Sequence, residues 1–346
     1  MARDRSNSRA TVRDVAAATG LSIATVSRVL NGQANVAPHT RELVLAAVGR
    51  LGDQAPRPRA EQAAGAVYVR CPYLLTDYFG LIVSSVAETI DLHGRQMILN
   101  AGEAAQSAEI LKTLPGRSGI AGAILILPPE EPTDLVRLRD QGFPFVVVDP
   151  RTPPARDMAA VSAAHFAGGR AVMAHLVGLG HRRVGIIGGP VDWLAAEARL
   201  AGYTSALAGA GVLPAPELTR AVDEPNTGNG YRAAAELLDL PERPTALVAF
   251  NDKMAVGAMW AAAERGLSIP RDLSIAGFDD IDVSRATSPA LTTVRQPLQE
   301  MGRTAVTLLM RILGKEAVEA LHVSLGSQLV VRESTGPVPT VPLVSH

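Results

Sequence analysis

The sequence predicts a small N-terminal all-α domain followed by an α/β core of two doubly wound parallel sheets. Near the N-terminus, two short amphipathic segments stand on either side of a glycine, as in a helix-turn-helix unit. Strands that alternate with helices favour parallel sheets, and this many strands favour two of them. Beyond residue 65, the apolar runs that alternate with helix-like segments are AVYVR, RQMILN, AGAILIL, FPFVVVD, RVGIIGG, ALVAFND and LSIAGFD.

The composition is that of a globular protein of two or three domains. Of the 346 residues, 47% are hydrophobic and 19% are charged. The longest apolar runs are far shorter than the ~20 residues that a membrane-spanning helix needs. The first residues lack the apolar segment of a secretory signal, and the single cysteine, Cys71, excludes an internal disulfide framework. We therefore expect a cytoplasmic protein without a membrane partner.

The charge is unevenly distributed along the chain. Residues 1–60 contain nine arginines and four acidic residues, a net charge of +5, whereas the whole chain has a net charge of −1. A basic N-terminal region on an acidic remainder indicates a polyanionic partner, although an ordinary solvated surface gives the same asymmetry.

The first two predicted helices lie in TVRDVAAATGLSIATVSRVLNG, residues 11–32. Thr11 and Ser22 are suited to cap them, and Gly20 permits a left-handed turn between them. A third helix is expected from Pro38 to Leu51, with proline in its first turn. The residues expected at helical spacing on a common core are Val12, Val15, Ala16, Val26, Val29, Leu30, Leu43, Val44, Ala47 and Val48.

The other face of the second helix contains Ile23, Ala24, Ser27 and Arg28. In a generic three-helix unit this face is only solvated, whereas in a helix-turn-helix domain it enters the major groove of DNA. Residues 11–32, together with HTRELVLAAVGRLG of the third helix, resemble the N-terminal domain of the lactose-repressor (LacI/GalR) family almost position by position. The resemblance implies that Ile23, Ala24 and Arg28 read bases. The further DNA contacts that it implies are Thr11, Ser22, Thr25, Ser27, Asn31 and Thr40.

The segment after the third helix departs from the family. Relatives usually have a sequence like YRPNALARAL, whose short helix inserts a leucine into the minor groove. This chain has DQAPRPRAEQAAG, in which Pro56 and Pro58 disfavour a helix start and Gln62 stands near the leucine position. Either Arg57 and Arg59 reach the minor groove, or the segment is a stiff linker, which is the preferred interpretation.

Polar residues follow several strands of the core, where ligands of parallel sheets bind. Asp149, Asn251 and Asp279 are such residues, and their carboxylate and amide groups suit sugar hydroxyls as well as acid–base catalysis. GIIGGP lacks the spacing of a dinucleotide loop, no G-x-S-x-G motif is found, and neither Cys71 nor the histidines have metal-ligand spacing. We therefore expect no catalysis, metal or cofactor.

The core also resembles the ligand-binding core of the LacI/GalR family, which is similar to periplasmic sugar-binding proteins. The resemblance implies that Arg199, Asn251 and Asp279 hold ligand hydroxyls. Each of these groups also suits an internal polar network. The segments that carry the resemblance are HLVGLGHRRVGIIGGP (175–190), EARLAGYTSAL (197–207), AFNDKMAVGAM (249–259) and LSIAGFDDIDVSRATSPALTTVRQPLQEMG (273–302).

Aromatic residues are candidates for stacking on a sugar ring. The resemblance of PYLLTDYFG to the first-strand loop of the family places Tyr78 and Phe79 near the mouth of the cleft. Trp193, six residues before Arg199, is the preferred stacking platform, with loop packing as the alternative. Trp260 is interpreted as helix packing or a subunit surface.

The domain prediction places a DNA-binding domain at 1–52, a hinge or linker at 53–64 and an effector-binding and dimerisation core at 65–340. One subdomain is expected at about 65–162 and 292–322, and the other at about 163–291 and 323–340.

These observations predict a transcriptional repressor that binds a palindromic DNA operator as a homodimer and is released by a small-molecule effector. The polar set Asp149, Arg199, Asn251 and Asp279 favours a sugar, including an oligosaccharide, in the cleft. A purine or a protein co-regulator remains open as the effector. The other classes considered are a sugar-binding transport component and a sugar-modifying enzyme.

Overall fold

The computed structural model describes residues 10–30, 36–51, 65–107, 109–213 and 215–339. The chain divides into two compact units, Met1–Ala66 and Val67–His346. In the described part of the chain, no helix is both long and apolar enough to span a membrane.

The described residues of the N-terminal unit form three helices, α1 (Val12–Thr19), α2 (Ile23–Leu30) and α3 (Pro38–Leu51). Thr11 caps α1, because its hydroxyl accepts from the Asp14 backbone N–H while the Asp14 carboxylate accepts from the Thr11 N–H at 2.7 Å. Gly20 has a φ of 68°, and the Ser22 hydroxyl accepts from the Thr25 N–H at 3.1 Å. The predicted caps and turn are therefore confirmed.

A small apolar core joins these three helices. Its buried members are Val15, Ala16, Val26, Val29, Val44 and Ala47. The prediction that Leu43 faces this core is wrong, since its side chain is 38% exposed. Leu43 precedes Val44 by one position, which turns it about 100° around the helix and away from the buried stripe.

The second unit contains strands with parallel pairing in two main sheets. Five short strands were not predicted: Ala160–Ala163, Thr219–Ala221, Thr293–Arg295, His322–Leu325 and Gln328–Val330. The strands are β1 (Ala66–Cys71), β2 (Met97–Ala101), β3 (Ile120–Ile126), β4 (Phe145–Val148), β5 (Ala160–Ala163), β6 (Val184–Gly188), β7 (Thr219–Ala221), β8 (Ala246–Ala249), β9 (Ser274–Ala276), β10 (Thr293–Arg295), β11 (His322–Leu325) and β12 (Gln328–Val330).

The first subdomain is built on a six-stranded sheet of order β11-β5-β4-β3-β1-β2, and the second on a four-stranded sheet of order β7-β6-β8-β9. Strands β10 and β12 form a small antiparallel pair, which isolated bridges join to the second sheet at Ala276 and Asp279. The apolar runs predicted as strands appear as β1, β2, β3, β4, β6, β8 and β9, so the prediction of two parallel sheets is confirmed.

Helices cover the sheets. In the first subdomain, the helix α12 (Leu298–Leu313) packs along α4 (Asp77–Leu92). In the second, α7 (His165–Gly178) packs on α8 (Leu194–Gly209), and α9 (Thr227–Leu238) packs on α10 (Asp252–Glu264). The contact between α7 and α8 is so close that a Cβ on Gly202 would lie 2.3 Å from the carbonyl oxygen of Phe166. The helices of this unit are α4 (Asp77–Leu92), α5 (Glu109–Thr113), α6 (Pro132–Asp140), α7 (His165–Gly178), α8 (Leu194–Gly209), α9 (Thr227–Leu238), α10 (Asp252–Glu264), α11 (Val283–Ala286) and α12 (Leu298–Leu313).

The chain crosses between the subdomains after β5, after β10 and after β11. Two of the approximate predicted boundaries lie a few residues before the crossings in the structure. The boundary before 292 is too early, because β10 joins the second sheet, so the crossing follows Arg295. The boundary after 322 cuts through β11, which pairs in register with β5 in the first sheet, so this crossing follows Leu325. Strands of three or four residues are too short to show a clear hydrophobic period.

Candidate functional site

A cavity of about 810 Å³ lies between the two subdomains, beside the carboxyl ends of β1, β4, β8 and β9. We call this cavity the cleft. Its position follows the rule that ligands of doubly wound sheets bind beyond the carboxyl ends of the strands. The cleft brings together all the predicted ligand residues, Tyr78, Phe79, Asp149, Trp193, Arg199, Asn251 and Asp279.

Asp149 connects the two subdomains through a buried hydrogen-bond network. It follows β4 with a φ of 52°, and its carboxylate accepts from the Tyr78 hydroxyl at 2.8 Å. The other carboxylate oxygen lies 2.7 Å from Nε2 of His165, at the start of α7 in the second subdomain. Since Arg199 can only donate to Nδ1 of His165, the imidazole donates its Nε2 proton to Asp149. Burial acts to raise the pKa of Asp149, but His165, Tyr78 and Arg199 together hold it below its ordinary value.

Arg199 lies at the centre of the second subdomain's side of the cleft. Only 3% of the residue is exposed, and its guanidinium carbon lies 4.3 Å from the Phe250 ring centre and 3.7 Å from that of Phe278. The guanidinium donates to the carbonyl oxygen of Phe250 and lies 3.8 Å from the Asp279 carboxylate. Two aromatic faces and a carboxylate therefore fix the orientation of this positive charge.

Asp279 is buried and has a φ of 116°. Its carboxylate accepts from the Gln296 amide at 2.6 Å. Burial raises the pKa of Asp279 to about 7, while Arg199 and the hydrogen bond from Gln296 limit the rise. The site thus contains a carboxyl group that changes charge near neutral pH.

Asn251 has a structural role in addition to its place in the cleft. Its side-chain oxygen accepts from the Met254 N–H at 2.9 Å and caps α10, and its amide donates to the carbonyl oxygen of Pro225 at 3.2 Å. The internal polar role that the sequence left open is therefore present. One amide hydrogen remains for a ligand, since the Asn side chain has two donors.

Aromatic side chains extend the polar network into a closed ring around the cleft. In the first subdomain, Tyr78 contacts Phe79 at 5.0 Å between ring centres, and Phe79 stacks on Tyr73 at 4.5 Å. Tyr73 then contacts Trp193 of the second subdomain at 6.3 Å, and Trp193 contacts Phe250 at 6.2 Å. The ring is closed by Arg199, which contacts Phe250 and His165, and by the hydrogen bond between His165 and Asp149. It passes from one subdomain to the other at two contacts, Asp149–His165 and Tyr73–Trp193.

The residues of this site that sequence reasoning missed include Tyr73, Arg151, His165, Phe250 and Lys253. Tyr73 lies in PYLLTDYFG, the same loop as Tyr78, and Phe250 lies next to Asn251 in AFND, so aromatic residues close to strand ends were the available signal. Lys253 donates to the Thr76 hydroxyl across the cleft at 3.0 Å, a contact that no local pattern predicts.

The charges that line the cleft are mostly negative. Among the described residues, three cationic ones face the cavity, Arg151, Arg199 and Lys253. The acidic residues that face it are Glu103, Asp149, Asp192, Asp223, Glu224 and Asp279. A lining of this sign disfavours phosphorylated or otherwise anionic ligands and suits neutral molecules with many hydroxyl groups.

The predicted DNA-contact residues of α2 lie on one exposed face of the N-terminal unit. Ile23 is 50% exposed, and Ala24 and Arg28 are also exposed, whereas Val26 and Val29 face the core. The hydroxyls of Thr11 and Ser22 both make capping hydrogen bonds. Thr25, Ser27 and Thr40 are partly exposed. The predictions for Asn31, Arg57 and Arg59 lie outside the described residues.

The comparisons with known proteins agree with this architecture. Residues 11–52 match the family of bacterial regulatory proteins called the lacI family, and residues 173–335 match a periplasmic binding protein-like domain. A helix-turn-helix head joined to such a core defines a DNA-binding regulator of transcription and not an enzyme. The HTH-type transcriptional regulator MalR of Streptomyces coelicolor is 35% identical over 343 residues, covering 94% of this chain and 96% of MalR. The chain belongs to the LacI family.

Two solved structures share the fold over nearly the whole chain. The complex of the transcriptional regulator CelR with cellobiose has a TM-score of 0.70 at 30% identity and covers 94% of this chain and 100% of that chain. The lac repressor dimer bound to operator and the anti-inducer ONPF has a TM-score of 0.72 at 28% identity, with 94% and 99% covered.

Proposed function

We propose that the cleft binds a neutral saccharide and that this effector releases the regulator from its operator. The observation that supports the proposal is the meeting of buried Asp149, Arg199 and Asp279 with aromatic rings in one cavity. Carboxylate and guanidinium groups bond paired hydroxyls, and aromatic faces contact the apolar faces of sugar rings. The relative that is solved with cellobiose supports the same ligand class.

The effector acts by changing the angle between the subdomains. A ligand in the cleft touches both subdomains, so it binds one closure angle more tightly than others and shifts the population toward it. The DNA-binding domain at 1–52 and the linker at 53–64 transmit this change to the operator. In this proposal Arg28, Ile23 and Ala24 read bases, and the other predicted contacts, Arg57 and Arg59 included, approach the DNA backbone or minor groove.

The regulator acts as a homodimer in the cytoplasm, where its DNA is. One helix-turn-helix domain contacts too few bases to specify an operator, whereas the two domains of a dimer match the two halves of a palindrome. Strand β2 is at an open edge of its sheet, and this edge exposes Ile98 and Leu99, at 45% and 38%. Leu92, the last residue of α4, is 85% exposed. Trp260 on α10 is 58% exposed. Apolar side chains at an open sheet edge support a subunit contact.

The experiment begins with genomic DNA fragments that the purified protein selects. The chain has two tryptophans, so the variant Trp260→Phe leaves Trp193 as the reporter in the cleft. We would titrate this variant with mono- and oligosaccharides and follow Trp193 fluorescence and DNA release in parallel, at one fixed salt concentration.

A saturable response to one sugar that also releases DNA is the expected result. If no sugar gives a response while the DNA stays bound, the saccharide effector is wrong. A purine and a protein co-regulator are then the next effectors to titrate. Product formation from any sugar in the panel would contradict a purely regulatory cleft.

A further inference from the structure

Arg151 is a cleft residue without an assigned role. It lies two positions after Asp149 in the first subdomain, and its guanidinium carbon lies 5.8 Å from the ring centre of Tyr73 and 5.1 Å from that of Trp193. Nη2 donates to the Tyr73 hydroxyl, and the Arg151 carbonyl oxygen accepts from the Leu194 N–H at 2.5 Å. These contacts hold the guanidinium in one orientation against the N-terminal end of α8.

In the part of the chain that the structure describes, one buried donor of this group lacks a partner. Within the described residues, Nε of Arg151 is buried and makes no hydrogen bond, although the side chain lines the cleft. Buried donors are nearly always satisfied in folded proteins, and an unpaired one in a side chain that lines a cavity marks a donor that a bound ligand can satisfy. A sugar hydroxyl or ring oxygen is such an acceptor, whereas a neutral apolar ligand is not.

Arg151 and Arg199 are separated along the cleft wall. Phe250 lies against Arg199 at 4.3 Å and contacts Trp193 at 6.2 Å, and Trp193 in turn lies against Arg151 at 5.1 Å. Two aromatic side chains in contact with each other therefore connect the two guanidinium groups, which make no direct contact in the described residues. A ligand that satisfies both needs more than one sugar ring, and the volume of about 810 Å³ is near the upper end of the usual range of about 300–1,000 Å³ for small-molecule sites.

We propose that Arg151 binds the second unit of an oligosaccharide whose first unit is held by Arg199 and Asp279. Nε of Arg151 donates to an oxygen of that second unit, which makes Arg151 the residue that distinguishes oligosaccharides from monosaccharides. This inference rests on the proposed saccharide function of the cleft.

The test is calorimetric titration of the full chain with two matched sets of probes. The disaccharides are cellobiose, maltose, lactose and xylobiose, and the monosaccharides are glucose, galactose and xylose. Arg151→Met keeps the apolar stem and removes the donors, and Arg151→Lys keeps the charge but removes Nε. Arg117→Met is the control, because Arg117 also lies over a tyrosine ring, that of Tyr68 at 5.6 Å, outside the cleft lining.

We expect at least one disaccharide to bind at least about tenfold more tightly than its constituent monosaccharides. Both Arg151 variants then lose about ten- to hundredfold in disaccharide affinity and keep monosaccharide affinity within about twofold, since a hydrogen bond from a charged donor is lost. Arg117→Met leaves both affinities unchanged.

Two results overturn the inference in different ways. If the wild-type protein binds sugars but the Arg151 variants change the two classes of probe equally or not at all, the second-unit site is wrong and the saccharide function stands. If no probe binds the wild-type protein, the saccharide function fails, and the inference fails with it. Circular dichroism of each variant verifies that it is folded, and Arg151→Lys keeps the test decisive if Arg151→Met does not fold.

Discussion

The position of Arg199 depends on a glycine of the neighbouring helix. A Cβ at Gly169 would lie 2.6 Å from the Arg199 carbonyl oxygen and 3.1 Å from its Cα. Because an ordinary C–H···O contact is about 3.3 Å long, Gly169→Ala requires α8 to retreat by about 0.7 Å. Overpacking costs about 1–3 kcal/mol, and here the upper end applies because the obstacle is backbone. The higher helix propensity of alanine offsets about 1 kcal/mol of this cost, so we expect the free energy of unfolding to fall by about 2 kcal/mol.

The same displacement carries the Arg199 guanidinium beyond the tolerance of about 0.5 Å that a binding site allows, so effector affinity should fall about tenfold. Gly178→Ala is the matched control, since Gly178 lies in the same helix and a Cβ there has no neighbour within 4 Å. Urea unfolding at fixed pH measures both stabilities. Equal unfolding midpoints for the two variants would refute the argument that Gly169 sets the position of α8.

Three further predictions concern single groups. Arg28→Ala should weaken specific operator binding by about 1–3 kcal/mol at fixed salt without moving the unfolding midpoint of the core, and unchanged operator affinity would contradict a base contact. Because the pKa of Asp279 is raised to about 7, effector affinity should fall as pH is lowered from 8 to 6, since sugar hydroxyls donate to the ionised carboxyl group. The free energy of unfolding of the ligand-free protein should rise as pH is lowered from 8 to 6, because the folded state binds the Asp279 proton more tightly than the unfolded state. Urea unfolding at each pH measures this rise, which is opposite in direction to the fall in effector affinity. Tyr78→Phe removes a hydrogen-bond donor from the buried Asp149 carboxylate. The free energy of unfolding, measured with urea, should fall by about 1–3 kcal/mol, and the pKa of Asp149, measured by NMR titration, should rise.

The N-terminal unit could be predicted in detail because its signals are local. A cap residue, a glycine turn and apolar positions at helical spacing lie within single helices, so Thr11, Gly20 and Ser22 appear in their predicted roles. Leu43 was misplaced because three consecutive positions of α3, Leu43 to Leu45, are all apolar, and only the packing against α1 and α2 selects Val44.

The cleft could be predicted only in part, because its contacts join distant segments. Asp149 and Asp279 follow strong apolar strands, so their position at the sheet edge follows from the sequence. His165 lies at the start of a helix after the weak strand β5, and its contact with Asp149 depends on how the two subdomains meet. Arg151 is likewise recognisable only by the aromatic rings on either side of it. A polar residue at a strand end can also serve two roles, as Asn251 does.

The geometry of the cleft connects the ligand site directly to the crossings between the subdomains. His165 lies just after the first crossing and bonds Asp149, and Gln296 lies just after the second and bonds Asp279. Rotation about these crossings therefore changes the hydrogen bonds of both carboxylates. A ligand that bonds Asp149 and Asp279 favours the closure angle at which His165 and Gln296 also reach them, and disfavours the others. The binding free energy thus differs between closure angles, and this difference is what allows an effector to shift the regulator from one state to the other.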